Sequence, residues 1–240
     1  MTVLAIGAHP DDIELGCGGA LLAHRRAGEA VWLLIMSSGT EGGPPAIRRH
    51  EQCVAARRLQ AEVLWGGFRD GEIPNGKPAI QVVDDALALS GARIVYTHAH
   101  GDSHQDHRHV AQATLSAARN LTTILGYETP STTRFAPNTF VSLVGLLEAK
   151  LELIGAHSSQ IERASRVDLD VVAAQARVRG HQGRLAFAEA FEAERLQFLI
   201  GASVYQDPLA SEDFHGEAAI SQPRGDAKLL LDATSHHEGE

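Results

Sequence analysis

Four consecutive residues, His9-Pro10-Asp11-Asp12, stand at the end of an apolar run, Val3 to Ala8. Imidazole and carboxylate packed against a hydrophobic strand are costly unless something compensates them, and a divalent metal is the usual compensation. A second cluster, His104-Gln105-Asp106-His107, supplies more donors of the same kind. A catalytic zinc takes three protein ligands and keeps one position for water. One short loop cannot set three ligands tetrahedrally and also leave a spare carboxylate facing that water, whereas two loops can. One member of the Asp11-Asp12 pair can then bind metal while the other serves as base. Taken alone, the first tetrapeptide reads equally well as a turn whose Asp caps the next helix. The second cluster favours the metal.

The elements around these residues bring them together. Continuous apolar runs at Val3–Ala8, Val31–Met36, Val63–Trp65, Ile94–Tyr96 and Ile124–Tyr127 read as buried strands. Helical spacing covers Ala20–Ala27, after a Gly-rich turn at Gly16 to Gly19, then Ala46–Leu59, Ile80–Leu89 and Asp106–Arg119. This alternation predicts an α/β, Rossmann-like three-layer fold: a mainly parallel sheet with helices on both faces. In such sheets, sites form beyond the carboxyl ends of the strands. His9 to Asp12 follows the first strand, Ser37 to Glu41 the second, Asp70 comes soon after the third, and His98 to His107 follows the fourth. Further on, Leu143–Ala156 and Val171–Gly180 read as helices, and Phe187–Phe198 as helix or strand. After Asp207 the chain turns polar. Residues 1–206 are therefore expected to form one domain, and 207–240 a loosely ordered tail or one that docks on a partner.

Composition narrows the function classes. The chain has 240 residues, a formal net charge of −9 and 5% aromatics. A nucleic-acid binder would show a basic face with stacking aromatics. Cys17 and Cys53 cannot build a disulfide framework or a four-cysteine zinc site, and both read as small buried apolar residues. No apolar stretch is long enough to span a bilayer, and the chain opens directly into a strand without a signal-like region. A cytoplasmic location is the default expectation, with a small-molecule partner and homo-oligomerisation left open.

The second cluster allows a rival metal reading. His98-Ala99-His100-Gly101-Asp102 resembles the HxHxDH signature of metallo-β-lactamase-type hydrolases, but Ser103 interrupts it and the βα alternation does not suit that fold. A nucleotide-dependent Rossmann enzyme is a further alternative, and it lacks the GxGxxG spacing. The fuller match is elsewhere. His9-Pro10-Asp11-Asp12 with Gly16-Cys17-Gly18-Gly19, together with His104-Gln105-Asp106-His107, resembles the paired signatures of the LmbE-like (PIG-L) zinc N-deacetylases. Ser38 to Gly42, Arg48 to Glu51, Asp70-Gly71 and Ala188 to Glu192 resemble further family segments. One position departs: the family often has Pro where Gln105 stands.

The resemblance implies that His9, Asp12 and His107 bind Zn2+ or another divalent transition metal, with Asp11 as general base. His104, as a cation, would polarise the acyl carbonyl or stabilise its oxyanion, with Asp106 holding its imidazole. The reaction implied is removal of an acyl group, acetyl above all, from a small molecule such as an N-acetylglucosamine derivative. Arg48 is a candidate for a carbonyl, hydroxyl or anionic group of the substrate, and Glu41 and Asp70 for sugar hydroxyls. Gly16, Gly18 and Gly19 are expected to let the turn pass close to the metal. His98, His100 and His109 read as surface or supporting residues, and His157 has no assigned role.

Overall fold

The computed structural model describes residues 1–161 and 167–197, and the backbone of 230–232. Five apolar segments form parallel strands: β1 (Thr2–Gly7), β2 (Ala30–Ser37), β3 (Glu62–Phe68), β4 (Ile94–His98) and β5 (Thr123–Tyr127). Four helices connect them: α1 (Asp12–Arg26), α2 (Pro45–Leu59), α3 (Lys77–Ser90) and α4 (Gln105–Ala117). Then follow β6 (Thr139–Ser142), α5 (Leu147–Ile154), α6 (Ser158–Ile161), α7 (Leu169–Gln182), β7 (Ala188–Leu196) and β8 (Leu230–Asp232). The sheet order is β6-β7-β5-β4-β1-β2-β3-β8, with β6, β7 and β8 antiparallel to their neighbours.

Alternation along β1 builds the two faces. Val3 and Ala5 pack with Ile13, Cys17 and Leu21 of α1 and Ala55, Ala56 and Leu59 of α2. Leu4 and Ile6 pack on the opposite face with Val82 and Val83 of α3 and Val110 and Ala113 of α4. This is the expected mainly parallel sheet with helices on both faces. The chain moves outward from β1 to β3, then crosses back so that β4 lies parallel beside β1. Ligand crevices form where strand order reverses in this way. The carboxyl ends of β1 and β4 carry the two polar clusters.

Several elements differ from the sequence reading. The glycines Gly16, Gly18 and Gly19 lie inside α1, which begins at Asp12. They do not make a turn near the metal. Their missing side chains admit neighbours instead: a Cβ on Gly16 would stand 2.0 Å from the Tyr127 ring, and one on Gly19 would stand 2.3 Å from Leu143. The helix expected over Leu143–Ala156 is shorter, because β6 runs into a turn at Gly145, whose φ of 72° suits glycine. Phe187–Phe198 resolves into β7, Ala188–Leu196, a strand between β5 and β6. Strand β6 gave no clear pattern. Within the segment read as a tail, Leu230–Asp232 pairs with β3; the rest of 207–240 lies outside the described residues. Cys17 is buried, Cys53 is half-buried, and neither forms a disulfide among the described residues.

Tyr127 is fully buried and donates from its hydroxyl to the Ile6 carbonyl at 2.8 Å, so its ring cannot yield. Gly16→Ala should therefore destabilise the protein by about 2 kcal/mol, despite alanine's better helix propensity. Gly18→Ala, whose Cβ would meet the flexible end of Leu153 at 3.1 Å, should stay within about 1 kcal/mol of the parent. Urea midpoints measure both, and an unchanged midpoint for Gly16→Ala would contradict this packing.

Candidate metal centre and active site

Three side-chain atoms converge beyond the ends of β1 and β4. His9 Nδ1 is 3.3 Å from Asp12 Oδ2, His107 Nε2 is 3.4 Å from the same oxygen, and the two nitrogens are 3.3 Å apart. Donors on a tetrahedral ion with bonds of about 2.0–2.1 Å stand about 3.3–3.4 Å from one another. The triangle therefore has the edge lengths of one face of a zinc coordination sphere. All three residues are buried, and their donor set of two imidazoles and a carboxylate suits a divalent transition metal. Two overlapping donor groups, His98-Asp102-His107 and His9-His104-Asp106, also lie close together. In the first, the single lone pair of His98 Nε2 is taken by the Ala8 amide at 3.0 Å; in the second, Asp106 Oδ2 accepts the Gly71 amide at 2.8 Å, as Asp12 Oδ2 accepts the His9 amide at 2.8 Å.

Each imidazole of the triangle turns its other nitrogen to carboxylate. His107 Nδ1 lies 3.0 Å from Asp102 Oδ2, which also accepts from the hydroxyls of Thr129 and Thr132, both at 2.9 Å. His9 Nε2 lies 2.9 Å from Asp70 Oδ1 and 3.4 Å from Asp106 Oδ2. The approach to Asp70 is close but off the N–H axis, so it counts as ionic contact rather than a directed hydrogen bond. Partners of this kind fix the tautomer and aim the ring. They also set the charge. Burial lowers His107, yet the Asp12 and Asp102 carboxylates outweigh it and bring it up to about 9. Burial likewise lowers His9, and contacts with Asp106, Asp12 and Asp70 reverse that and raise it well above its ordinary value. Asp12 is pushed up by burial but held well below the usual carboxylate range by His107 and His98.

Asp11 faces the same cavity without joining the triangle. It precedes α1 with φ 95°, a conformation sparsely populated by non-glycine residues and most often met at functional sites. Buried Arg48 holds it there. Its guanidinium reaches Asp11 Oδ2 at 3.4 Å and Oδ1 at 3.5 Å, and also donates to the Pro10 carbonyl. Gln52 Oε1 accepts the Asp11 amide at 3.4 Å, while Gln52 Nε2 donates to Glu14 Oε1 at 2.6 Å. Glu14 Oε2 in turn stands 3.3 Å from His157 Nε2. Burial raises the Asp11 carboxyl, and Arg48 opposes the rise without cancelling it. A carboxylate poised upward in this way can accept and return a proton near neutral pH.

His104 caps α4: its Nδ1 accepts the Asp106 amide at 3.2 Å. Nδ1 is therefore an acceptor, Nε2 carries the hydrogen, and the ring is a neutral donor. Burial, with the charges of His107 and His9, also lowers its pKa. This corrects the expectation of a cationic His104. It corrects the role of Asp106 as well, whose carboxylate holds Gly71 and faces His9 instead of hydrogen-bonding the His104 imidazole. Asp70 is turned to His9 and to the Glu41 amide at 2.7 Å, so it braces His9 while also lining the cavity. Arg48 positions Asp11, although it also lines the cavity; Glu41 is exposed at the rim. The cavity holds about 400 Å³.

The His98-x-His100 metal reading fails on geometry. His98 is buried behind the triangle, stacked on His107 at 4.0 Å, and its pKa falls to about 4 through burial. His100 turns away toward Glu194 at 3.6 Å, and His109 meets the Ile73 carbonyl at 2.7 Å. The nucleotide alternative meets Asp12 and Glu14 in the first turn of α1, where a phosphate would need amides free of negative charge. Sequence reasoning missed Asp102, Thr129 and Thr132 as the support of His107. Asp102 was visible in the histidine cluster, but the threonines follow β5 and carried no motif.

Comparisons with known proteins follow the same lines. The family model for the GlcNAc-PI de-N-acetylase, PIG-L, matches residues 4–118. An Escherichia coli K12 protein, the uncharacterised deacetylase YaiS, is 37% identical over 150 residues, covering 59% of this chain and 81% of YaiS. The N,N'-diacetylchitobiose deacetylase of Pyrococcus horikoshii superposes with a TM-score of 0.70 at 23% identity, over 80% of this chain and 83% of that one. GalB, the 4-carboxy-2-hydroxymuconate hydratase of Pseudomonas putida KT2440, superposes at 0.73 with 18% identity, over 83% and 98%. The two solved structures share the fold but differ in reaction, so side chains must decide the chemistry.

Two outcomes follow for the metal centre. Asp102→Ala should weaken zinc affinity about 10–100-fold, measured by competition with a chelating dye; parent affinity would contradict the support assigned to Asp102. The raised His107 stabilises the metal-free protein fully below its ordinary value of 6.5, and that contribution is lost as pH rises through about 9. Its proton must leave before Nε2 can ligate, so metal affinity should climb over the same window. Calorimetry in buffers of different ionisation enthalpy should show proton release on zinc binding at pH 7; no release would contradict it.

Proposed function

Because the chain belongs to the PIG-L (LmbE-like) family of de-N-acetylases, we propose that it is a cytoplasmic, zinc-dependent amidohydrolase. It removes an acyl group, acetyl in the simplest case, from the nitrogen of a small molecule such as an N-acetyl amino sugar. The observation that carries this reading is the triangle of His9, Asp12 and His107 donors with a carboxylate outside it, Asp11, facing the same cavity. When bound there, a divalent metal supplies positive charge that polarises a carbonyl and brings a water's pKa near ~7.

The chain's own groups then divide the work. Asp11, held by Arg48 and the Gln52 bridge, takes the proton of the attacking water. His104 donates from Nε2 to the acyl oxygen as it gains charge, and its cap on α4 keeps that donor in place. The proton held by Asp11 passes to the amine nitrogen as the carbon–nitrogen bond breaks. Products are the free amine and a carboxylate. At the rim, Glu41 is placed to meet hydroxyls of the amine component.

The test is free-amine release from a panel of N-acylated sugars with zinc present. Asp11→Asn should keep the metal and lower kcat by about 10²–10⁴-fold. A near-parental rate would overturn the base assignment, and no release from any member of the panel would overturn the amidohydrolase reading.

A further inference from the structure

A second cavity, of about 470 Å³, adjoins the metal-site cavity and shares Leu15, Thr129 and Pro130 with it. It runs beneath α7 and along β7. Val171, Val172, Ala176 and Ala190 line it, and Val171 stands 62% exposed. The ionic groups along its wall satisfy one another. Arg179 clasps Glu128 with two bonds of 2.6 Å. Lys150 donates to Glu189 at 2.5 Å and to the Leu15 carbonyl at 2.8 Å, and Glu189 also accepts the Gly19 and Ala20 amides, both at 2.7 Å. With these charges paired, the cavity offers, among the described residues, hydrocarbon surface and no unmatched charge to draw an ionic ligand.

The metal-site cavity is of the opposite character, with Glu41, Asp70, Arg48 and Gln160 along its wall. An amide substrate divides at its carbonyl carbon. A polyhydroxylated amine needs polar partners, whereas an acyl chain gains by burial. An acetyl group would leave the adjoining apolar cavity without a role. We propose that this second cavity is an acyl-chain subsite, so that the enzyme cleaves N-acyl groups of medium chain length. The chain runs past Leu15 and Pro130 toward Val172 and Ala176. This inference rests on the amidohydrolase reading and names the acyl class for the same site.

The experiment compares kcat/KM of the zinc-loaded enzyme for N-acetyl-, N-butyryl- and N-octanoyl-glucosamine. Burial predicts a rise of about fourfold per methylene until the cavity is filled. Val172→Trp, which occupies the cavity, should lower the octanoyl-to-acetyl ratio at least tenfold. A flat or falling series overturns the subsite. So does a gain that instead follows an octyl group on the anomeric oxygen of N-acetylglucosamine, which would place the apolar cavity on the amine side. If no amide is cleaved, the amidohydrolase reading fails and calorimetry with octanoate decides the subsite separately. Binding weakened by Val172→Trp supports it, and no binding overturns it.

Discussion

Two imidazole nitrogens and one carboxylate oxygen meet within 3.4 Å of one another at the edge of the sheet. Neutral imidazoles that present lone pairs to a common point repel, and the arrangement is stable only with positive charge among them. Four carboxylates, those of Asp12, Asp70, Asp102 and Asp106, surround the pair and add to that demand. The raised pKa values of His9 and His107 express it as protons. A divalent ion answers the same demand with more charge and a fixed geometry. Much of what else is polar and buried near the sheet edge serves this centre or the carboxylate beside it.

The fold supplies the placement. Crossing back from β3 to β4 sets two strand ends side by side, so residues nearly a hundred positions apart share one point. Two of the three candidate ligands are held from rigid elements: Asp12 opens α1, and His107 sits in the first turn of α4. The glycines of α1 contribute indirectly. By letting Tyr127 and Leu143 close against the helix, they keep the segment that carries Asp11 and Asp12 tight to the sheet. Strain at Asp11 is balanced by Arg48, Pro10 and Gln52, and a second layer behind it joins Glu14 to His157. On α2, Glu51 accepts the Ser159 amide and hydroxyl, both at 2.7 Å, which ties the segment after His157 to the helix that bears Arg48.

What was legible in the sequence had local causes. Continuous apolar runs gave the five parallel strands, and motif-bearing loops after them gave the two clusters. Individual roles were less legible, because they depend on which atom each side chain turns to which neighbour. Asp70 read as a sugar contact and also faces His9, Arg48 read as a substrate group and also braces Asp11, and Asp106 turns from His104 toward His9. The glycine run illustrates the same limit. Glycine's local preference points to a turn, and only the tertiary approach of Tyr127 and Leu143 explains why Gly16 and Gly19 sit within a helix. Thr129 and Thr132 hold Asp102 from a loop after β5 that has no pattern of its own. Strand β6 is short and half-exposed, and only its pairing with β7 marks it as a strand.

The most direct measurement is amine release by protein stripped of metal and then titrated with zinc, using the best substrate from an N-acyl sugar panel. The account predicts no turnover in the stripped protein and recovery that saturates at one equivalent per chain. Turnover that persists in fully stripped protein, or that zinc fails to restore while the fold is intact, would contradict the role given to His9, Asp12 and His107.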